Sequence, residues 1–393
     1  MNLLDMLQEY TTQIIVIESF STDDLTASKE FVKNNNVVSL YGKIFYFNFS
    51  QSIDMEMIKK AVLILIVLLL SVIGFSQDRD SIPKRTKDSV NIPKRAVAYA
   101  ADKFAIARPL NIEFSNASPY NFTSKRRSTS LPESKINNFT QAKISANFNF
   151  IKRKTWLLGA TLGYRYTSAE ADMTDPFTGN ATALDEDFHY LFSSLNFTYF
   201  STLFKKRTIY SSSIIADGSD QHFERVKGLL TGVMVLKANQ KTKMTVGLAV
   251  NIDPTSQLPV IPIFTYEHKF NNGLIADVTL PKSIYLRKYI FNTGRISLGT
   301  EMDQTSFYLY NLDGTDQKYE YRQLDINSGI IYEHAIGDFI ITGKTGMKLT
   351  PSGRLFRKQD AFNDPTFEVK PDPVFYFNIG VSFNPFTFLK KKK

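Results

Sequence analysis

The sequence predicts an all-β protein, an antiparallel up-and-down transmembrane β-barrel of about 12–14 strands. Three observations predict it. Apolar and polar residues alternate with a period of two from residue 110 on, most alternating segments reach ten residues or more, and the connections alternate between long and short. Successive side chains of a strand point to opposite faces, so alternation gives each strand one apolar and one polar side. A soluble sandwich alternates too, but its strands are usually ~5–6 residues long, whereas a spanning strand needs ~9–11. Short turns at one end and longer loops at the other belong to outer-membrane barrels.

Ahead of the strands stand three segments. Residues 1–56 show no sustained period and hold three Lys/Arg against eight Asp/Glu, which leaves +14 on the remainder of a chain whose net charge is +9. They read as translation upstream of the functional start, the alternative being a small cytoplasmic extension. Met57-Ile58-Lys59-Lys60 then precedes an unbroken apolar run from Ala61 to Ile73, closed by Gly74-Phe75-Ser76-Gln77. A short basic region, an apolar run below the ~20 residues of a spanning helix, and small residues at −3 and −1 describe a signal peptide over 57–76. Residues 77–108 are polar, and Ile82-Pro83-Lys84-Arg85 recurs as Ile92-Pro93-Lys94-Arg95. Proline interrupts regular pairing and the charges favour water, so this stretch reads as a flexible periplasmic leader.

The barrel is expected over 109–388. In 141–150, Gln141, Lys143, Ser145, Asn147 and Asn149 interleave with Ala142, Ile144, Ala146, Phe148 and Phe150. Leu158, Ala160, Leu162 and Tyr164 oppose Leu157, Gly159, Thr161, Gly163 and Arg165. Met244, Val246, Leu248, Val250 and Ile252 oppose Thr245, Gly247, Ala249 and Asn251, and near the end Phe375, Phe377, Ile379, Val381 and Phe383 oppose Tyr376, Asn378, Gly380, Ser382 and Asn384. Long connections are expected at 117–136, 169–187, 217–223, 253–259, 311–317 and 353–371. Short ones fall at 152–154, 204–206, 238–241, Asn271-Asn272-Gly273, Asn292-Thr293-Gly294 and 335–338. This gives about fourteen strands, or twelve if the short pair around Pro281 is one bent system. A basic tail, 389–393, ends the chain.

Composition bounds the chemistry. There is no cysteine, which excludes disulfides, thiolate metal sites and a Cys nucleophile. The 32 Phe and 19 Tyr against one Trp suit half-buried strands and interfacial girdles. Trp156, Tyr166 and Tyr199 read as belt residues. The basic excess suits anionic lipid, so the expected partners are outer-membrane lipid, lipopolysaccharide and the barrel-assembly machinery. Lys and Arg are not clustered with stacking aromatics, so nucleic acid is not among them.

Together these features resemble the uncharacterised outer-membrane β-barrel families of domain-of-unknown-function type found in Bacteroidota. The residues that carry the resemblance are Ser76-Gln77 at the end of the signal, Arg108-Pro109-Leu110 opening the barrel, and Pro259 to Tyr266 followed by Leu280-Pro281 and Tyr285. Such proteins usually finish on a strand-terminal aromatic, whereas here Phe386 and Phe388 are followed by Leu389 and Lys390 to Lys393. The resemblance implies the fold and its membrane, and no known activity.

The expected functional face is the lumen. Lys143, Arg165, Lys227, Arg287, Lys344 and Lys348, with Asp325, fall on the polar sides of their strands beside Gln141, Gln323 and Asn327. If they line water, the interior favours anions, and the protein is a small channel or uptake barrel with a positive lumen. If they pair with Asp325, Glu267 and Glu333, the barrel is closed and filled, a structural or binding protein acting through its external loops. An outer-membrane hydrolase is the third reading, but His189 and Ser193 lie ~13 Å apart along a strand, too far to form a nucleophile and base. Asp185, Asp187 and His189 share one strand face and offer a cation clamp. Asp217-Gly218-Ser219-Asp220-Gln221-His222 has the composition of a turn. No catalytic residue, cofactor or metal is assigned.

Overall fold

The computed structural model describes residues 92–386 apart from 128, 176–177, 254–255, 257–258, 313 and 361–363. The expected segments 1–56 and 57–76, the first part of the leader and the tail at 389–393 lie outside these residues. Fourteen antiparallel strands each lie beside their sequence neighbours, and the last pairs with the first to close the barrel. β1 runs as Leu110–Ala117 and Tyr120–Arg126, and β14 as Phe367–Pro371 and Val374–Phe383. Between them come β2 Ser134–Lys152, β3 Trp156–Thr174, β4 Ala181–Leu203, β5 Lys206–Gly218, β6 Phe223–Ala238 and β7 Thr242–Ile252. β8 Val260–Lys269, β9 Leu274–Leu280, β10 Ser283–Ile290, β11 Gly294–Tyr310, β12 Lys318–Ile336 and β13 Phe339–Arg357 complete the wall. The segments flanking Pro281 are two separate strands, so the higher count holds.

Side-chain direction identifies the solvent outside. Large apolar residues stand on the outer surface of the strands: Phe114 (46%), Ile214 (62%), Leu248 (54%), Leu298 (58%) and Ile379 (57%) are all exposed. Their strand neighbours Glu113, Ser213, Gly247, Ser297 and Asn378 turn inward. A soluble sheet buries its apolar face, and this one exposes it over the whole circumference. Only hydrocarbon makes that arrangement favourable, and closure satisfies the backbone without an open edge. No helix among the described residues is long and apolar enough to cross a membrane.

Short turns after β2, β4, β6, β8, β10 and β12 gather at one end, with the start of β1 and the end of β14. The turn Asn271-Asn272-Gly273 is one of them. Gly273 takes φ +82 there, a conformation glycine alone adopts freely, and its N–H donates to Phe270 O at 3.1 Å. At the other end the connections are shorter than expected. Much of 117–136, 169–187 and 353–371 is strand, because β1–β4, β13 and β14 continue past the apolar belt. The outer face of these extensions meets water instead of lipid, so the apolar half of the alternation fades and a strand reads as a loop.

Wall height is uneven. At ~3.3 Å per residue the 23 residues of β4 reach ~75 Å, while the seven of β9 reach only ~23 Å. β10 last pairs with β11 at Ser283↔Glu301. Beyond it the β11–β12 hairpin buries consecutive residues: Thr305, Ser306, Phe307 and Tyr308 on one strand, Gln323, Leu324 and Asp325 on the other. A wall strand with one lipid face cannot do this. The hairpin instead inclines across the lumen and packs on β4 and β5, the Phe307 ring stacking on Phe188 at 4.1 Å and Tyr308 donating to Asp217 at 3.0 Å.

The described part of the leader departs from the solvated chain expected of it. α1, Ile92–Lys103, is a helix followed by a 3-10 turn at Ala105–Ala107, and Ala100 and Ala101 are buried. It lies against the inner wall at the short-turn end, where Ala96 packs with Leu157 and Phe200. Within the described residues, Asp102, Lys103 and Arg108 meet charges of the wall.

Candidate functional site

The lumen has two kinds of wall. Inward residues of β5–β8, namely Ile209, Ile215, Leu229, Val233, Ala249, Ile261 and Ile263, form an apolar cluster. The opposite wall is charged, and ion pairs fill most of it.

At the short-turn end α1 is tied to the wall by charge. Arg295 holds Asp102 at 3.0 Å and Glu333 at 2.7 Å, and Lys103 meets Asp277 at 2.5 Å. Arg108, 1% exposed, donates to Ala101 O at 3.1 Å, Ser382 Oγ at 3.1 Å and Glu333 Oε1 at 2.5 Å. Tyr99 donates to Glu267 at 3.0 Å. Burial pulls the Lys103 ammonium below its ordinary pKa, with Asp277 opposing the shift, and burial pushes the Tyr99 phenol well up, with Glu267 adding to it. A cavity of about 330 Å³ separates the helix from β7–β11 here.

At the other end the inclined hairpin carries its own network. Lys227 pairs with Asp217 at 2.6 Å, and Tyr190 and Tyr308 both donate to that carboxylate. Glu320 holds Arg322 and Arg225, Asp253 accepts from both arginines, and Glu224 takes Lys318 and Lys358. Sequence reading placed Asp217 in a turn and missed Glu224, Arg225, Glu320 and Arg322. Glu320–Arg322 and Arg225–Asp253 apart, their partners stand 69 or more residues away across the barrel, and no local pattern marks that.

Between the two closures lies a cavity of about 170 Å³. Five of the seven expected lumen residues line it: Lys143, Arg165, Arg287, Lys344 and Lys348. Lys143 pairs with Asp303, Arg287 with Asp277 at 3.0 Å, Lys344 with Glu301 at 2.9 Å and Glu113 at 3.5 Å, and Lys348 with Asp325 at 3.4 Å. Asp325 itself is fully buried and accepts from Gln323 and Thr350. Lys227 is inward as expected, but belongs to the hairpin network rather than the cavity. Lys282, at the β9–β10 turn, also lines the cavity and was not anticipated; its ammonium donates to Met302 O.

The other sequence candidates do not converge. His189 is bonded to Tyr164 at 2.8 Å, and Asp187 accepts from Tyr166 at 2.7 Å; among the described residues no three His, Asp or Glu gather as a metal set. Ser193 pairs with Ala216 in the β4–β5 ladder, four residues from His189. Ser219 Oγ accepts from the N–H groups of Gln221 and His222, which makes 219–222 a turn. Trp156 and Tyr199 pair at the short-turn end as interfacial residues do, whereas Tyr166 stands inside β3.

No family model and no curated protein matches the sequence. Among solved structures, the chain is similar to an outer-membrane channel of Pseudomonas putida F1 at 9% identity, covering 70% of this chain and 94% of that one with a TM-score of 0.31. It is similar to a FadL homologue of Pseudomonas aeruginosa at 7% identity, covering 75% and 94% with a TM-score of 0.28. The transport unit of the Escherichia coli autotransporter AIDA-I is similar at 9% identity, covering 81% and 96%, also with a TM-score of 0.28.

Proposed function

We propose that the protein is an outer-membrane channel or uptake barrel for small polar solutes, shut at rest by α1 at one end and by the β11–β12 hairpin at the other. The observation that carries this is a charged central chamber, held inside an apolar belt, whose closure toward the short-turn end is a separate helix rather than the wall itself. Charged side chains in a membrane protein are costly and ordinarily mark a pathway. Motifs shared with the uncharacterised barrels of Bacteroidota support the same membrane, reached through the signal at 57–76. The belt meets outer-membrane lipid, and the acidic β3–β4 hairpin meets the cation-bridged headgroups of lipopolysaccharide. The aromatic-rich β14 is the segment offered to the assembly machinery.

Planar-bilayer recording tests the reading. The full-length protein is expected to conduct rarely, and a variant lacking 92–103 and carrying Asp217→Asn and Glu320→Gln, which release the hairpin, to conduct steadily. A barrel that stays silent in both forms, while still showing heat-modifiable gel mobility, refutes the channel. It then favours the second reading, a closed barrel that binds partners through its long-loop end, which the ion pairs filling the lumen already support.

A further inference from the structure

We infer that the central chamber is a binding site for a small inorganic oxyanion of the phosphate or sulfate class, held by Arg165 and Lys282. This deepens the proposed function, since it names the class of solute the chamber receives.

Charge balance makes the argument. Among the described residues, eight Lys and Arg line the chamber (Lys103, Arg108, Lys143, Arg165, Lys282, Arg287, Lys344 and Lys348) against four carboxylates (Glu113, Glu301, Asp303 and Glu333). Asp277 and Asp325 stand just behind the lining and serve Lys103, Arg287 and Lys348. Glu333 serves Arg108, Asp303 serves Lys143, and Glu113 with Glu301 serve Lys344. Arg165 and Lys282 are left without a carboxylate at ion-pair distance. Lys282 donates only to the carbonyl of Met302, and the Nε of Arg165 is buried with no hydrogen-bond partner.

Asp303 acts on both from beyond ion-pair distance, and Glu301 on Lys282. A half-buried cation with no direct partner is still costly in low dielectric, and lipid surrounds this chamber. An anion removes that cost. The lining offers further donors, since Arg287 Nε and the Ser145 and Thr342 hydroxyls are also buried with no partner. So are the acceptors Asp303 Oδ1, Asn327 Oδ1 and Asn378 Oδ1, which a protonated oxyanion oxygen or its water would meet. The donors are several, as a tetrahedral oxyanion requires, and the Arg165 guanidinium offers the planar fork that binds two of its oxygens. A cavity of about 170 Å³ admits one phosphate with part of its hydration.

The test is phosphate binding by the purified full-length protein in detergent, in chloride-free buffer, followed by calorimetry and by the thermal midpoint of the heat-modifiable gel shift. Inorganic phosphate is expected to bind saturably and to raise the midpoint, since a ligand of the folded state stabilises it. Arg165→Gln and Lys282→Gln are each expected to weaken binding about 10-fold or more, the loss of one charge-assisted contact. Arg165→Lys is expected to fall between wild type and Arg165→Gln, because it keeps the charge and loses the fork. Lys241→Gln, exposed in the β6–β7 turn at the short-turn end, is expected to bind as wild type does. Arg165 is half-buried and in no ion pair among the described residues, so Arg165→Gln should melt close to wild type in the absence of phosphate. Absence of saturable phosphate binding, displacement by equimolar chloride, or unchanged affinity in both glutamine variants overturns the site. Binding is read in the resting barrel, so this outcome is independent of whether the protein conducts.

Discussion

Inside this barrel a single residue matters through how many elements it touches. Arg108 is the clearest case. It is fully buried, and its guanidinium joins the end of α1 through Ala101 O, β14 through Ser382 and β12 through Glu333. Arg108→Ala removes one member of a buried ion pair and leaves three acceptors short of a donor, a change that costs about 3–5 kcal/mol in such sites. Urea unfolding in lipid, followed by gel mobility, measures it. Arg108→Lys is expected to recover little of the loss, because one ammonium cannot span three acceptors on three elements; full recovery would mean that charge alone is what Arg108 supplies. At this scale the sequence was legible in direction and illegible in pairing. Alternation alone turned Lys143, Lys344 and Lys348 inward. It could not say that Lys143 meets Asp303, 160 residues on, because that contact exists only once the sheet has curved shut.

Elements were legible where one face meets lipid. β2, β3, β7 and β14 carry full alternation, and their register follows from it. Two kinds of element escaped. The extensions of β3 and β4 past the belt turn an outer face to water instead of lipid, so polar residues such as Glu170, Asp172, Asp185 and Asp187 hide the strand. α1 escaped for a different reason: its sequence IPKRAVAYAADK offers mostly small apolar residues at helical spacing, and Tyr99, Asp102 and Lys103 are satisfied by the wall rather than by water. Ala101 gives the test of its role as a plug. Its methyl is 0% exposed, so the larger side chain of Ala101→Leu has no room and costs about 1–3 kcal/mol of overpacking. The helix is held by a handful of side chains and the barrel by a continuous ladder, so the helix yields first. Raised open probability in bilayers and faster proteolysis within 92–108, with the gel-mobility shift intact, are the expected results. A variant as silent and as protected as wild type would show that α1 is a fixed part of the wall.

For the whole molecule, the decisive question is which solvent the outer surface was built for. Leu298 on β11 faces outward at 58% exposure, paired with Leu286 near the middle of the shortest part of the wall. In water, an exposed leucine far from any special feature can become lysine within about 0.5 kcal/mol. In hydrocarbon, the same substitution near the midplane of a membrane barrel costs about 2–4 kcal/mol, and the cost falls toward the interfaces. Exposure and sensitivity therefore run in opposite senses for the two environments. Leu298→Lys is expected to lower stability by that larger amount in lipid vesicles, whereas Phe339→Lys, outward but at the short-turn rim, is expected to cost 0–1 kcal/mol. Equal, small effects at both positions would mean that the apolar belt does not meet a bilayer. The closed chamber, the plug and the anion site would then need another explanation, because the cost of their buried charges follows from the hydrocarbon around them.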